Sequence, residues 1–208
     1  SIGGLFSGMP PLEAFKALIT AFVGHAHDGD PHELAFYDIS RAHFYGVATR
    51  RLWVELPDEE KIGDKEPMVG LLKKTMYGTV DASSQWQSDY ASLLTDAGFN
   101  QGKSNPALFY HEARQIRLLV HGDDFAVEMR GEQRAWFEQV LTKYKYKRSS
   151  LFTHNAGRQE VVLFNRVVGW DPAAGQVDLE ADVRHAEQPV REVGRTECEA
   201  SETPAGKR

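Results

Sequence analysis

Apolar residues recur along the chain at two spacings, which predict two kinds of element. Three segments repeat them at the helical spacing of three or four residues. The first segment follows Pro10 and Pro11 and closes at Gly24, the second ends at Gly98, and the third begins at Gly131. Proline suits the first turn of a helix, and glycine suits the position after the last turn. The predicted helices cover residues 12–24, 79–97 and 131–146.

Short apolar runs and alternating stretches predict β-strands between and after these helices. Because the helices and strands do not alternate regularly, a parallel doubly wound sheet is disfavoured. The order instead favours an α+β fold, in which helices cover one face of an antiparallel sheet. The predicted strands cover residues 34–39, 51–56, 69–72, 107–110, 116–121, 125–129, 161–169 and 176–179.

The last part of the chain differs in composition from the rest. Residues 181–193 are compatible with a final helix, and from Arg195 onward almost nothing is apolar. We therefore expect one folded domain over residues 1–194 and a disordered tail over residues 195–208. The opening Ser-Ile-Gly-Gly suggests a sequence that begins partway through a longer parent chain.

The composition of the 208 residues, with 41% hydrophobic and 11% aromatic, is sufficient for a folded core. No run approaches eighteen consecutive apolar residues, so we expect no membrane-spanning helix and no membrane partner. The start of the chain has no secretory signal pattern. The single cysteine, Cys198, excludes an internal disulfide and a cysteine-based zinc site. These features predict an intracellular protein, cytoplasmic or nuclear, that is not secreted.

The formal net charge of −6 argues against nucleic-acid binding over the whole surface. The densest basic run contains Lys143, Lys145, Lys147 and Arg148, with two tyrosines interleaved. Its ordinary interpretation is a solvated helix end, since cations favour the C-terminus of a helix. Residues 25–32 contain three histidines and two aspartates, but their spacing matches no standard metal-ligand pattern, which favours a loop.

Three aspartates carry the candidate chemistry. Asp123 and Asp124 lie between two predicted strands, where Gly-Asp-Asp alone is better explained as a hairpin turn. Asp38 also follows an apolar strand. If the two strands are neighbours, three carboxylates converge and repel one another unless cations neutralise them. Such a cluster can hold two Mg²⁺ ions, which roughly 3.5–4 Å apart stabilise an in-line phosphoryl displacement.

The motifs around these aspartates occur in a recognisable order. Residues 36–46 contain Asp38 and end in Phe-Tyr-Gly, and residues 72–78 read Leu-Lys-Lys-Thr-Met-Tyr-Gly. Residues 121–124 read His-Gly-Asp-Asp. As a set over roughly residues 11–193, these motifs resemble the copia-type LTR retrotransposon reverse transcriptases. The first resembles the family's first aspartate motif, the second its Leu-x-Lys-Ser-Leu-Tyr-Gly, and the third occupies the place of its Tyr-x-Asp-Asp.

The resemblance implies a right-hand polymerase palm with partial fingers and the start of a thumb. It implies that Asp38, Asp123 and Asp124 are catalytic and bind two Mg²⁺ ions, for which Mn²⁺ can substitute. His43 and Gly78 would bind the nucleotide. The implied activity is RNA-directed DNA polymerisation. The implied partners are an RNA or DNA template with its primer, deoxynucleoside triphosphates and the other Pol domains of the parent polyprotein.

The chain also departs from the family's pattern. His43 stands where the family has the Phe that screens the nucleotide 2′ position, and His121 replaces the Tyr before the aspartate pair. Asp81 lies in a segment where the family has a Lys, which places an anion close to the expected triphosphate. Two alternatives therefore stay open. One is a degenerate, inactive palm kept as a fold or binding module. The other is an unrelated metal-dependent phosphoesterase, which predicts no common sheet for Asp38 and Asp123.

Overall fold

A computed structural model describes residues 10–27, 32–57, 59, 68–163 and 166–181 of the chain. This part contains three α-helices, namely α1 (Leu12–His27), α2 (Ala82–Asp96) and α3 (Arg134–Val140). Short 3₁₀ turns lie at Ala42–Phe44, Glu112–Arg114, Gly131–Gln133 and Leu141–Lys143.

Eleven β-strands lie within the same described residues. They are β1 (His32–Ile39), β2 (Trp53–Glu55), β3 (Val69–Leu71), β4 (Asn100–Gln101), β5 (Leu108–His111), β6 (Ile116–His121), β7 (Asp124–Arg130), β8 (Tyr146–Phe152), β9 (Gln159–Leu163), β10 (Arg166–Asp171) and β11 (Gln176–Ala181).

The main sheet has six strands in the order β4-β5-β6-β7-β1-β8, and every neighbouring pair is antiparallel. A second antiparallel sheet has the order β11-β10-β9, and β2 pairs with β3 in a small third sheet. The described residues thus contain helices and antiparallel sheets, and the polymerase palm stays a prediction.

The helices do not all lie on one face of the main sheet, so that prediction is wrong. Helices α2 and α3 pack on one face, around Trp86 and Phe137. Helix α1 and the three-stranded sheet pack on the opposite face, around Phe22 and Trp170. The central strands are buried at consecutive positions, as residues 34–37 show. Such unbroken apolar runs are typical of a sheet that is covered on both faces.

The third helix is much shorter than the predicted 131–146. Its apolar spacing holds as far as Leu141, but the backbone of Tyr144 is extended. The Tyr144 side chain is buried, with its ring 5.0 Å from that of Trp86 and its hydroxyl donating to Asp89 at 2.8 Å. The alternating residues that follow form β8. Lys147 and Arg148 therefore lie on an edge strand, so the interpretation of the basic run as a solvated helix end holds only for Lys143, which lies in the last 3₁₀ turn.

Other predicted ends of helices and strands differ from those in the structure for local reasons. Helix α1 continues through Gly24, which lacks the left-handed conformation that ends a helix at a glycine. The predicted strand over 161–169 is two strands, β9 and β10, paired with each other. Gly98 and Gly175 have positive φ angles of 97° and 62°, as expected where a helix ends and a hairpin turns. The predicted final helix and the tail over 195–208 lie outside the described residues, as does most of the loop at 57–67.

Substitutions in the three-stranded sheet test which face it buries. Val168 on β10 is fully buried, whereas Val162 on β9 is 56% exposed. We expect Val168→Ala to lower the free energy of unfolding by about 2 kcal/mol, because it removes buried methyl groups and leaves a cavity. Val162→Ala is the matched control and should cost only about 0.5 kcal/mol. Chemical denaturation measures both, and equal losses would contradict this packing.

Candidate active site

The turn between β6 and β7 carries Asp123 and is fixed to helix α2. Gly122 in this turn has a φ angle of 63°, a conformation that disfavours side chains. Its carbonyl accepts a hydrogen bond of 2.7 Å from Nε1 of Trp86. Trp86 lies on α2, and its side chain is buried in the hydrophobic core. Its hydrogen bond therefore holds the turn in a defined position.

Strands β1 and β7 bring the three predicted aspartates to one end of the sheet. Asp38 and Asp124 are directly opposite each other in the register, and the amide of Ile39 donates to the carbonyl of Asp123 at 2.9 Å. Side chains of directly opposed residues point to the same face, with Cβ atoms about 4.5–5.5 Å apart. The phosphoesterase alternative predicts separate sheets for Asp38 and Asp123, and that expectation is wrong.

The electrostatics of the cluster follow from this proximity. Burial, followed by the charges of Asp123 and Asp38, raises the pKa of Asp124 to about 6. Among the described residues, no cation forms an ion pair with any of the three carboxylates. The cluster therefore concentrates negative charge and oxygen atoms that can bind a metal ion.

The loop after β1 brings His43 to the aspartates. Arg41 has a left-handed φ angle of 57°, which redirects the chain into the 3₁₀ turn at Ala42–Phe44. The ring of His43 packs edge-on against Tyr77, with 4.4 Å between the ring centroids. Burial lowers the pKa of His43, and the charge of Asp123 opposes that shift. His43 is therefore predominantly neutral at neutral pH.

Tyr77 and Gly78 lie on the segment that faces this loop. Burial raises the pKa of Tyr77, and the negative charges of Asp123 and Asp38 raise it further. The Tyr77 hydroxyl therefore lies within electrostatic reach of both carboxylates. Gly78 has a φ angle of 88° and is exposed. A methyl group at Gly78 would meet no atom within 4 Å, so its backbone conformation, not crowding, requires glycine.

The negative charge of Asp81 is balanced within the protein by Arg50, whereas the sequence predicts that this charge repels a triphosphate. Its side chain is buried and accepts hydrogen bonds from Thr49 at 3.0 Å and from Arg50 at 3.3 Å. Burial acts to raise the pKa of Asp81. The hydrogen bonds from Thr49, its own backbone and Arg50, together with the Arg50 charge, outweigh burial and lower it.

The basic edge strand lies beside the aspartates. Lys147 is opposite Asp38 in the register of β1 and β8, and the amide of Ser40 donates to the carbonyl of Lys145 at 2.8 Å. Lys145, Lys147 and Arg148 are exposed. The sequence interpretation missed this neighbourhood, as it missed Tyr77 and Trp86. The alternation of tyrosine and lysine from Tyr144 onward was the signal for a strand.

Comparisons with known proteins agree with part of this picture. No family model matches the chain. Over 98 residues, or 46% of its length, the chain is 26% identical to the retrovirus-related Pol polyprotein from transposon TNT 1-94 of Nicotiana tabacum. It is similar to part of a transposon polyprotein. The match spans 7% of that relative's length.

No helix in the described ranges combines the length and the apolar character that crossing a bilayer requires.

The raised pKa of Asp124 has a measurable effect on stability. A carboxyl group with a pKa raised on folding contributes most below its unfolded pKa of about 4, and this contribution is lost as pH rises through about 6. We expect Asp124→Asn to raise the free energy of unfolding at pH 7.5 by about 1–2 kcal/mol, because partial solvation limits the penalty. At pH 4 the gain should nearly vanish. Urea denaturation without divalent ions measures it, and a gain independent of pH would contradict this account.

Proposed function

We propose that this chain is the palm, with partial fingers and the start of a thumb, of a copia-type retrotransposon reverse transcriptase. The observation that carries the proposal is the register pair of Asp38 and Asp124, with Asp123 in the adjoining turn. The name of the similar plant polyprotein supports an origin in a transposon Pol polyprotein. The proposed reaction is RNA-directed DNA polymerisation by two-metal nucleotidyl transfer.

The three carboxylates fit the metal ions that this reaction needs. They offer only oxygen ligands, which Mg²⁺ prefers and Mn²⁺ also accepts. Burial and mutual repulsion raise the pKa of Asp124, a cost that bound cations would relieve. Asp38, Asp123 and Asp124 would hold two Mg²⁺ ions, whose chemistry is to stabilise the attacking and leaving oxygens of a phosphoryl displacement.

In this proposal, neighbouring residues would bind the substrates. The His43 ring contacts Tyr77 and lies within reach of the charge of Asp123, and it would contact the sugar of a deoxynucleoside triphosphate bound near Gly78. Since His43 is predominantly neutral, it adds no cation beside the triphosphate. Lys145 and Lys147 would bind backbone phosphates of an RNA or DNA template with its primer, whereas Arg148 is paired with Glu138 at 2.5 Å.

The proposal has two further consequences. The relevant partners include the other Pol domains of the parent polyprotein, and the compartment is intracellular, either cytoplasm or nucleus.

A primer-extension assay on an RNA template with Mg²⁺ tests the proposal. We expect the wild-type chain to incorporate deoxynucleotides and Asp38→Asn and Asp123→Asn to lose about 100-fold or more of that activity. The physical reason is that each substitution removes a ligand of the ions that stabilise charge in the transition state. Asp96→Asn, an equivalent change at the exposed end of α2, is the matched control and should retain full activity.

Equal incorporation by the wild type and Asp38→Asn would contradict the proposed site. Absence of incorporation, even when the chain is joined to a complete thumb and RNase H region, would contradict polymerase activity.

A second candidate is a degenerate palm that no longer polymerises and acts as a fold or binding module. His43 beside Asp123 and His121 at the start of the hairpin turn favour it, because both replace aromatic residues of the family's pattern. Calorimetric titration with Mn²⁺ separates the candidates when it is combined with the extension assay. Binding that is lost in Asp123→Asn, without any nucleotide incorporation, would support the degenerate palm.

A further inference from the structure

A second cluster of potential metal ligands lies at the other end of β1. His32 begins this strand six positions before Asp38, a separation of about 20 Å at roughly 3.3 Å per residue. His25, His32 and Glu128 each offer one ligand atom, and these atoms all lie within 4.8 Å of one another. The cluster is therefore distinct from the three aspartates.

The contacts within the cluster converge on one carboxylate oxygen. Nδ1 of His25 lies 2.9 Å from Oε1 of Glu128, and Nδ1 of His32 contacts the same oxygen. The two imidazole rings are stacked with 3.8 Å between centroids. Arg117 donates to the other oxygen, Oε2, at 2.8 Å. Two nitrogens and one oxygen thus lie together, and Arg117 orients the carboxylate from outside, as groups around metal ligands commonly do.

Three different elements supply these residues. His25 lies in the last turn of α1, beyond Gly24, whereas His32 begins β1. Glu128 lies on β7, opposite Leu34 in the register, and its side chain points to the same face as that of His32. An ion at this point would connect the end of the helix to two central strands of the sheet.

Burial matches the requirements of a metal site. Glu128 is fully buried and His32 is 2% exposed, whereas the side chain of His25 is 24% exposed. Buried charges in proteins are paired or coordinate metals. The partly exposed His25 gives an ion a route from solvent. A set of two histidine nitrogens and one carboxylate oxygen suits Zn²⁺ better than Mg²⁺, and water would complete its coordination.

We propose that His25, His32 and Glu128 form a Zn²⁺ site that fastens helix α1 to strands β1 and β7. The site does not depend on the proposed polymerase function, because it shares no residue with the aspartate cluster. The competing explanation is a metal-free network in which both imidazoles donate hydrogen bonds to Glu128. The two explanations differ in their response to added metal.

Titration of the chelator-treated chain with Zn²⁺, followed by calorimetry and thermal unfolding, tests the site. We expect the wild type to bind one equivalent that does not require Asp123 and to show a higher melting temperature, because the ion binds only the folded state. His25→Asn should weaken this binding by about 100-fold, since loss of a direct ligand should cost at least as much as loss of an outer partner. His25 is the preferred position because it is partly exposed, so its substitution should leave the fold intact.

Two control variants and one rescue variant sharpen the test. His111→Asn changes a histidine that packs against Phe99 and Trp136 on the other face of the sheet, and it should bind Zn²⁺ like the wild type. Asp123→Asn should also retain binding, which excludes the aspartate cluster as the source of the signal. His25→Cys should restore binding, because a thiolate is also a zinc ligand.

Co²⁺ offers an independent readout of the same residues. In place of Zn²⁺ it should give the visible absorption of a four-coordinate ion in the wild type and not in His25→Asn. Undiminished Zn²⁺ binding in His25→Asn, or no binding by the wild type, would overturn the proposal in favour of the hydrogen-bonded network. Loss of binding in Asp123→Asn alone would also overturn it.

Discussion

The antiparallel pairing of β1 with β7 is the constraint on which the rest of the structure depends. Both strands are central in the main sheet, and their residues are buried on both faces. A shift of one residue in the register would turn each side chain to the opposite face, so the burial of Phe36 and Ala126 on one face and Tyr37 and Phe125 on the other fixes it. The same register places Asp38 opposite Asp124.

Burial of the apolar core therefore stabilises a fold in which the three aspartates lie close together, although their negative charges oppose that arrangement. Three neighbouring carboxylates repel one another, and the high pKa of Asp124 records that repulsion together with burial. The chain tolerates it because the hydrogen bond from Trp86 to Gly122 and the paired strands leave the aspartates little freedom to separate. Local destabilisation within a rigid frame is common where a protein binds ions or substrates.

The sequence was a good guide where a local pattern determined the structure. The strand before Asp38 and the hairpin around Gly122 could be predicted because apolar runs bounded by turn residues are local signals. The helix predicted over residues 131–146 is too long because Tyr144 is buried among the aromatic rings of distant elements, and the helix ends before it. The alternation of tyrosine and lysine from Tyr144 onward indicates a strand, but no local pattern indicates the contact that buries Tyr144.

The candidate sites show the same difference between local patterns, which the sequence reveals, and contacts between distant residues, which it does not. The three aspartates were recognisable because each follows an apolar strand, although only the fold places them together. The spacing of the histidines at 25 and 32 predicts a loop, whereas the structure places His25 in α1 and His32 at the start of β1. Their common partner, Glu128, is about 100 residues away and lies within the otherwise apolar run of residues 125–129, so only the pairing of β1 with β7 could connect them.

The position of β8 at the outer edge of the main sheet also affects how molecules meet in solution. An edge strand presents unpaired backbone groups that can join the sheet of another molecule. Here the outer strand carries Lys147 and Arg148, both exposed. Arg148 is paired with Glu138 at 2.5 Å, so Lys147 is the cation that each copy would bring to an edge-to-edge contact. Like charges at such a contact repel, which disfavours pairing of two copies through this edge.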